Sequence, residues 1–150
     1  MVADMKVIWL FLHFTGRIPR QSYWLGFATV VAVFGLGRYV LKYHLGATEL
    51  AVVVWSTLAA IPLAALSVKR FNDRDRPTWF GYAVGAATAL FIAAPYFGYL
   101  TDDVAQYSFV EHVLLWGSLP LSVAALVDNG FLRGTRGENR HGPDPIGDGA

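Results

Sequence analysis

Three polar clusters hold most of the groups in this chain that could do chemistry. They are Gly16-Arg17-Ile18-Pro19-Arg20, Lys69-Arg70-Phe71-Asn72-Asp73-Arg74-Asp75-Arg76, and Gly137-Glu138-Asn139-Arg140-His141-Gly142-Pro143-Asp144-Pro145. Guanidinium groups in such density suit anions, because each presents a planar fork of donors to phosphate or carboxylate. The residues that could form such a site are Arg17, Arg20, Arg70, Arg74 and Arg76, with Asp73, Trp79, Asn139 and Asp144 beside them. Thr78 as a cap, or Pro77 in the first turn, would start a helix here and add its positive end to the arginines. A helix N-terminus with guanidinium groups suits a lipid phosphate or a small phosphorylated ligand. The structural alternative is that Asp73 clamps Arg70 and Arg74, while the other arginines fix topology and reach to headgroups. Of the two, the clamp accounts for Asp73 better.

Other chemistries find no residues. The four histidines, His13, His44, His112 and His141, are scattered without metal-ligand spacing, so no metal site is expected. HExxH, a nucleotide-cradling P-loop and Gly-x-Ser-x-Gly are all missing from the sequence, and nothing in it calls for a cofactor. With no cysteine there is no disulfide, thiol nucleophile or thiolate metal site. A formal charge of +1 gives no bulk attraction for nucleic acid.

The elements that must position these clusters are four long apolar runs, at about 23–42, 50–68, 79–100 and 109–132. A bilayer core of ~30 Å takes ~20 apolar residues as a helix. Apolar residues make up 55% of the chain and charged ones only 15%, against ~25% charged in an ordinary domain. Four spans leave room for a single membrane domain, an all-α bundle of four transmembrane helices.

Basic residues orient it. Ten of the twelve Lys and Arg fall in the N-terminal segment, the second connection or the tail, and only Arg38 and Lys42 fall on the other side. Positive residues stay cytoplasmic, which places both termini and all three polar clusters on the cytoplasmic face of the membrane. Thr101–Gln106, on the far side, carries Asp102 and Asp103 and no base.

Met5–Phe14 is too short to cross and reads as an interfacial helix on the cytoplasmic leaflet, broken by Gly16 and Pro19. It lacks the small-residue cleavage site of a signal peptide and is expected to remain. Gln21 or Ser22 is placed to cap the first span, with Tyr23 and Trp24 in the aromatic belt. Ser56, Ala60 and Ala64 in the second span, and Gly81, Gly85, Ala89 and Ala93 in the third, form stripes of small residues that let helices approach closely. Such a stripe serves packing within the bundle or a homo-oligomer. Gly35 and Gly37 read as packing glycines. Pro62, Pro95 and Pro120 fall inside spans and should bend them. Asp128, at the end of the fourth span, needs a partner, and topology offers Arg17, Arg20, Arg70 or Arg133. The tail 134–150, rich in Gly and Pro, should be irregular.

The pattern Phe11-x-x-Phe14-x-Gly16-Arg17-x-x-Arg20-x-x-Tyr23-Trp24 resembles the opening of the DUF805 family of small bacterial inner-membrane proteins. Lys69-Arg70-Phe71-Asn72-Asp73-Arg74 followed by Trp79 resembles that family's basic loop, with Asn72 where the family usually has His. Gly134-x-x-Gly137-x-Asn139-x-x-Gly142-x-Asp144-Pro145 resembles its C-terminal signature. The resemblance implies location and fold and assigns no activity.

These readings converge on a non-catalytic protein whose arginine-rich face binds anionic lipid headgroups or a partner protein. An enzyme would use the same face on a phosphorylated lipid or polyprenyl substrate, with Asp73, Asp128 or Asp144 as base or metal ligand. A channel or transporter subunit would need an oligomer, because no ionisable residue falls near a midplane, and would build its path from Ser56, Thr57 and Thr88.

Overall fold

Proline and the caps decide where the helices break. A computed structural model of the chain describes residues 2–100 and 106–147. Helix α1 (Val2–Leu12) is followed by an extended stretch ending at Pro19, whose φ of −72° and ψ of 164° turn the chain into α2 (Arg20–Tyr43). Neither Gln21 nor Ser22 caps α2; Pro19 takes the cap position, and no side chain bonds to the first turn. Its fixed φ sets the geometry that a capping side chain would otherwise have to hold.

The second span runs further than its apolar pattern, from Glu49 to Asp73, in two pieces. Helix α3 (Glu49–Leu58) starts at Thr48, whose side chain accepts from the Ala51 N–H at 3.3 Å, and α4 (Ala60–Asp73) follows a break at Ala59. Pro62 has no N–H to give Leu58, so the helix ladder lapses there. Extra length at the polar end carries Lys69, Arg70 and Asp73 on the helix itself instead of in a loop.

Helix α5 (Trp79–Ala93) ends earlier than its run, in a 3-10 turn over Ala94–Phe97 with Pro95 at its start and Gly98 left-handed at its end. Helix α6 (Phe109–Gly130) opens on a capping box between Ser108 and Glu111 and contains Pro120. The expected acidic pair Asp102 and Asp103 falls outside the described residues.

Helix α4 is the axle of the bundle. Every residue from Ala60 to Asp73 except Ile61 and Leu63 is buried, by α1, α2, α5 and α6 around it. The small-residue stripe makes the closest of these contacts. A Cβ on Gly81 would strike the backbone of Val68, and one on Gly85 would strike Ala64. Gly81 and Gly85 are thus covered within the chain, and Ala89 and Ala93 are only half-buried. The other three spans keep most of their side chains outward; Leu25, Leu36, Leu90 and Trp116 are all exposed apolar residues on helices long enough to cross a membrane.

The far end is tied by contacts of its own. Trp55 Nε1 donates to the Phe34 carbonyl at 3.0 Å, and its ring fills the space a Cβ on Gly37 would need. Gly35 has nothing within 4 Å and is not a packing glycine, because its side of α2 faces outward. Arg38 Nη1 reaches Ser56 Oγ at 3.4 Å, and Lys42 lies 3.7 Å from Glu49.

Candidate functional site

Two arginines share one carboxylate where the N-terminal segment, the end of α4 and the tail meet. Helix α4 presents Arg70 and Asp73 together, since residues three apart in a helix are neighbours. The extended stretch before Pro19 brings Arg17 in from the other side. Asp73 Oδ1 accepts from Arg17 Nε at 3.1 Å, and Oδ2 accepts from Arg70 Nη1. The three side chains are at most 3% exposed.

Backbone carbonyls take the remaining donors. Arg17 Nη1 donates to Gly137 O at 2.8 Å and Gly142 O at 3.0 Å, and Nη2 donates to Thr135 O at 2.7 Å. Arg70 donates to Asn129 O at 2.6 Å, Ile18 O at 3.2 Å and Leu132 O at 2.8 Å. Gly137 and Gly142, at φ of +71° and +124°, hold the two carbonyls around Arg17 in backbone conformations that L side chains rarely adopt. The tail is irregular in secondary structure, yet it is held firmly as a collar around one guanidinium.

Neighbouring polar groups extend the knot. Thr135 N and Oγ1 both donate to Asp73 O, at 2.8 and 3.0 Å. Asn72 donates to Gly16 O at 3.1 Å, accepts from Thr78 Oγ1 at 3.1 Å, and offers its carbonyl to Asn139 Nδ2 at 3.0 Å. One donor and one acceptor are what a neutral imidazole would also supply at that position. Asp144 accepts from the Ile146 and Gly137 N–H groups, each at 3.0 Å. The Ile146 N–H first, then the Gly137 N–H and the charges of Arg17 and Arg133, hold the Asp144 carboxyl below the usual carboxylate range.

Lys69 faces the other way. Its buried Nζ donates to Leu10 O at 2.9 Å and to His13 O, the exposed carbonyls at the end of α1, and sits 4.8 Å from the centre of the Trp9 ring. One lysine therefore caps α1 and pins it to α4.

The sequence-derived site residues thus divide. Arg17, Arg70, Asp73, Asn139 and Asp144 come together in the knot. Arg74 does not clamp Asp73; it pairs with Asp128, which topology had assigned to Arg17, Arg20, Arg70 or Arg133. Arg74 is the C-cap of α4, past the last turn, so its side chain leaves the α4 face that carries Arg70 and crosses to α6. Arg76 is exposed and makes no side-chain bond among the described residues, and Trp79 is exposed and stacks on Phe80. Arg20 is exposed and, among the described residues, its side chain reaches only Phe131 O, at 3.1 Å. At the start of α5, Thr78 makes no side-chain cap: its backbone is helical, at φ of −56° and ψ of −31°, where a capping residue is extended, and its hydroxyl donates to Asn72 Oδ1.

Sequence reasoning left out Lys69, Asn72 and Thr135 as positioning residues. Lys69 and Asn72 stand beside Arg70 and Asp73 in one polar cluster, which was the available signal; Thr135 carried none. Among the described residues no three His, Cys, Asp or Glu converge as metal ligands. Ser56 Oγ and Thr88 Oγ1 donate to carbonyls of their own helices, at 2.7 and 2.8 Å.

Comparison with known proteins places the chain. It is 33% identical over 144 residues to the uncharacterized protein YiiR of Escherichia coli K12, covering 91% of this chain and 87% of YiiR. The inner membrane protein YhaH of the same organism is 25% identical over 145 residues, covering 94% and 93% of the two chains. A third relative there, the inner membrane protein YhaI, is 28% identical over 143 residues, covering 94% and 92%. No solved structure matches. The family model described as "Protein of unknown function (DUF805)" matches residues 11–143, a stretch that holds the knot, its collar and all four spans, and the chain belongs to that family.

Proposed function

We propose that the chain is a non-catalytic protein of the bacterial inner membrane, with both termini cytoplasmic, whose basic face engages anionic phospholipid headgroups. The observation that carries this reading is a charge imbalance. Arg17, Lys69 and Arg70 are buried at one end of the bundle, and Asp73 is the only carboxylate buried with them among the described residues. Carbonyl dipoles satisfy their hydrogen bonds but leave the net charge in place. Its field reaches a surface where Arg20, Arg76 and Arg136 are exposed. Anionic headgroups supply the missing charge, at ~1 kcal/mol per basic residue near the membrane surface.

The acids support a non-catalytic role. Both oxygens of Asp73 face guanidinium groups, both of Asp144 accept backbone N–H groups, and Asp128 is paired with Arg74. Each carboxylate is engaged in holding structure, which disfavours acid–base work on a phosphorylated lipid.

The test is lipid selection. Protein reconstituted in nanodiscs of equal phosphatidylglycerol and phosphatidylcholine, then released for native mass spectrometry, should retain phosphatidylglycerol preferentially. Equal retention of both would overturn the reading. For orientation, a C-terminal reporter active only in the cytoplasm should be active, and an inactive one would reverse the topology.

A further inference from the structure

The geometry points to one defined phospholipid site, in the cleft between the start of α2 and the end of α6, and we propose that it holds a single anionic diacyl phospholipid. This rests on the headgroup reading above and goes further by naming the place. The cleft, of about 560 Å³, is lined by Arg20, Gln21, Trp24, Leu25, Gly130 and Phe131. Its volume falls in the ~300–1,000 Å³ range of small-molecule sites.

Polarity along the cleft follows that of a phospholipid. Arg20 and Gln21 form the first turn of α2, and Trp24 and Leu25 sit one turn deeper on the same faces, four residues on. A polar head end therefore gives way to an apolar floor in the direction of the membrane interior. Leu25 is 71% exposed, so the floor is open to an acyl chain.

Charge complementarity fixes the sign of the head. Of the Arg20 donors, Nη1 bonds to Phe131 O and the rest meet no described residue. Directly behind the cleft wall is Arg70, which grips the carbonyls of Asn129 and Leu132 on either side of Gly130 and Phe131. The wall is thus backed by a buried cation as well as fronted by an exposed one. No side chain caps the first turn of α2, which adds its positive potential at the same end.

The wall is also preformed. Trp24 Nε1 donates to Gly130 O at 3.0 Å, and its ring meets Phe131 edge-on with centroids 5.5 Å apart. Both contacts lie within the chain and need no lipid to form, so binding costs little ordering.

Native mass spectrometry from the same mixed nanodiscs tests the site with three variants. Arg20→Gln removes the exposed cation, Leu25→Trp fills the floor without touching Arg20, and Lys42→Gln removes an exposed cation at the opposite end of the bundle. Wild type and Lys42→Gln should retain the same number of phosphatidylglycerol molecules, and Arg20→Gln and Leu25→Trp one fewer each. Arg20→Lys, which keeps the charge, should restore it. If wild type prefers phosphatidylglycerol but both cleft variants retain as much, the cleft assignment is overturned and the broader headgroup reading survives. If wild type shows no preference at all, both fall.

Discussion

Replacing Asp73 by asparagine should release the C-terminal collar. The carboxylate is 3% exposed and accepts from two guanidinium groups that are themselves 1% and 0% exposed. Each hydrogen bond to a charged group is worth ~1.5–3 kcal/mol, and the asparagine oxygen can keep one of the two in weaker form. Its amide would point two N–H donors at a second guanidinium that has lost its acceptor. Breaking one side of a buried pair costs ~3–5 kcal/mol in general, so a loss of ~3 kcal/mol is expected here, about a hundredfold in the open population. Trypsin reads this directly, because Arg133, Arg136 and Arg140 lie in or beside the collar. In nanodiscs, tail cleavage of Asp73→Asn should run about a hundredfold faster than wild type. Asp75→Asn is the control: its pair with Arg140 is about half exposed on both sides and should be worth ~0–1 kcal/mol. If Asp73→Asn is cleaved within twofold of wild type, like the control, the carboxylate does not hold the knot and the account above is wrong.

Lys69→Met keeps the stem but removes the cap on α1, so amide exchange across Val7–His13 should quicken with a loss of ~1–3 kcal/mol, whereas exchange in α5 should not change. Gly81→Leu drives a side chain into the Val68 backbone and should destabilise the bundle by ~1–3 kcal/mol in denaturant titration; an unchanged midpoint would refute the α4–α5 contact. The Asp144 carboxyl titrates lower in the folded chain than its ordinary ~3.9. A depressed folded value means its contribution is fully present above that ordinary value and is lost as pH falls through the folded one. The chain has no cysteine, so a single spin label at Ile146→Cys can follow the tail. It should be more ordered at pH 7 than below about pH 4, and the additional substitution Asp144→Asn, which removes the carboxylate at every pH, should loosen it already at pH 7.

Hydropathy and the spacing of small residues made the bundle legible, because each is a one-dimensional consequence of packing helices across a bilayer. Gly81 and Gly85 announced close packing, and the α4–α5 contact is where they are used. Helix ends were less legible: α4 carries its helix five residues past Val68 because Lys69, Arg70 and Asp73 find partners on three other segments. Nothing local to Asp128 favours Arg74 over Arg17, since the choice depends on which way the α4 C-cap turns. The collar carbonyls were invisible for a simpler reason, as main-chain acceptors have no residue type.

The knot also imposes an order of events. Arg17 is synthesised first, yet its partners Gly137 and Gly142 lie 120 and 125 residues later. Arg70 waits 59 and 62 residues for Asn129 and Leu132. Membrane helices insert singly and associate afterwards. The fastening of this bundle therefore has to come last, after the fourth helix has left the ribosome, and it is a polar closure at the water's edge, not an apolar one within the lipid. A nascent chain stopped short of the collar would keep Arg17 without the three carbonyls that surround it, so the closure cannot form until Gly142 has been made.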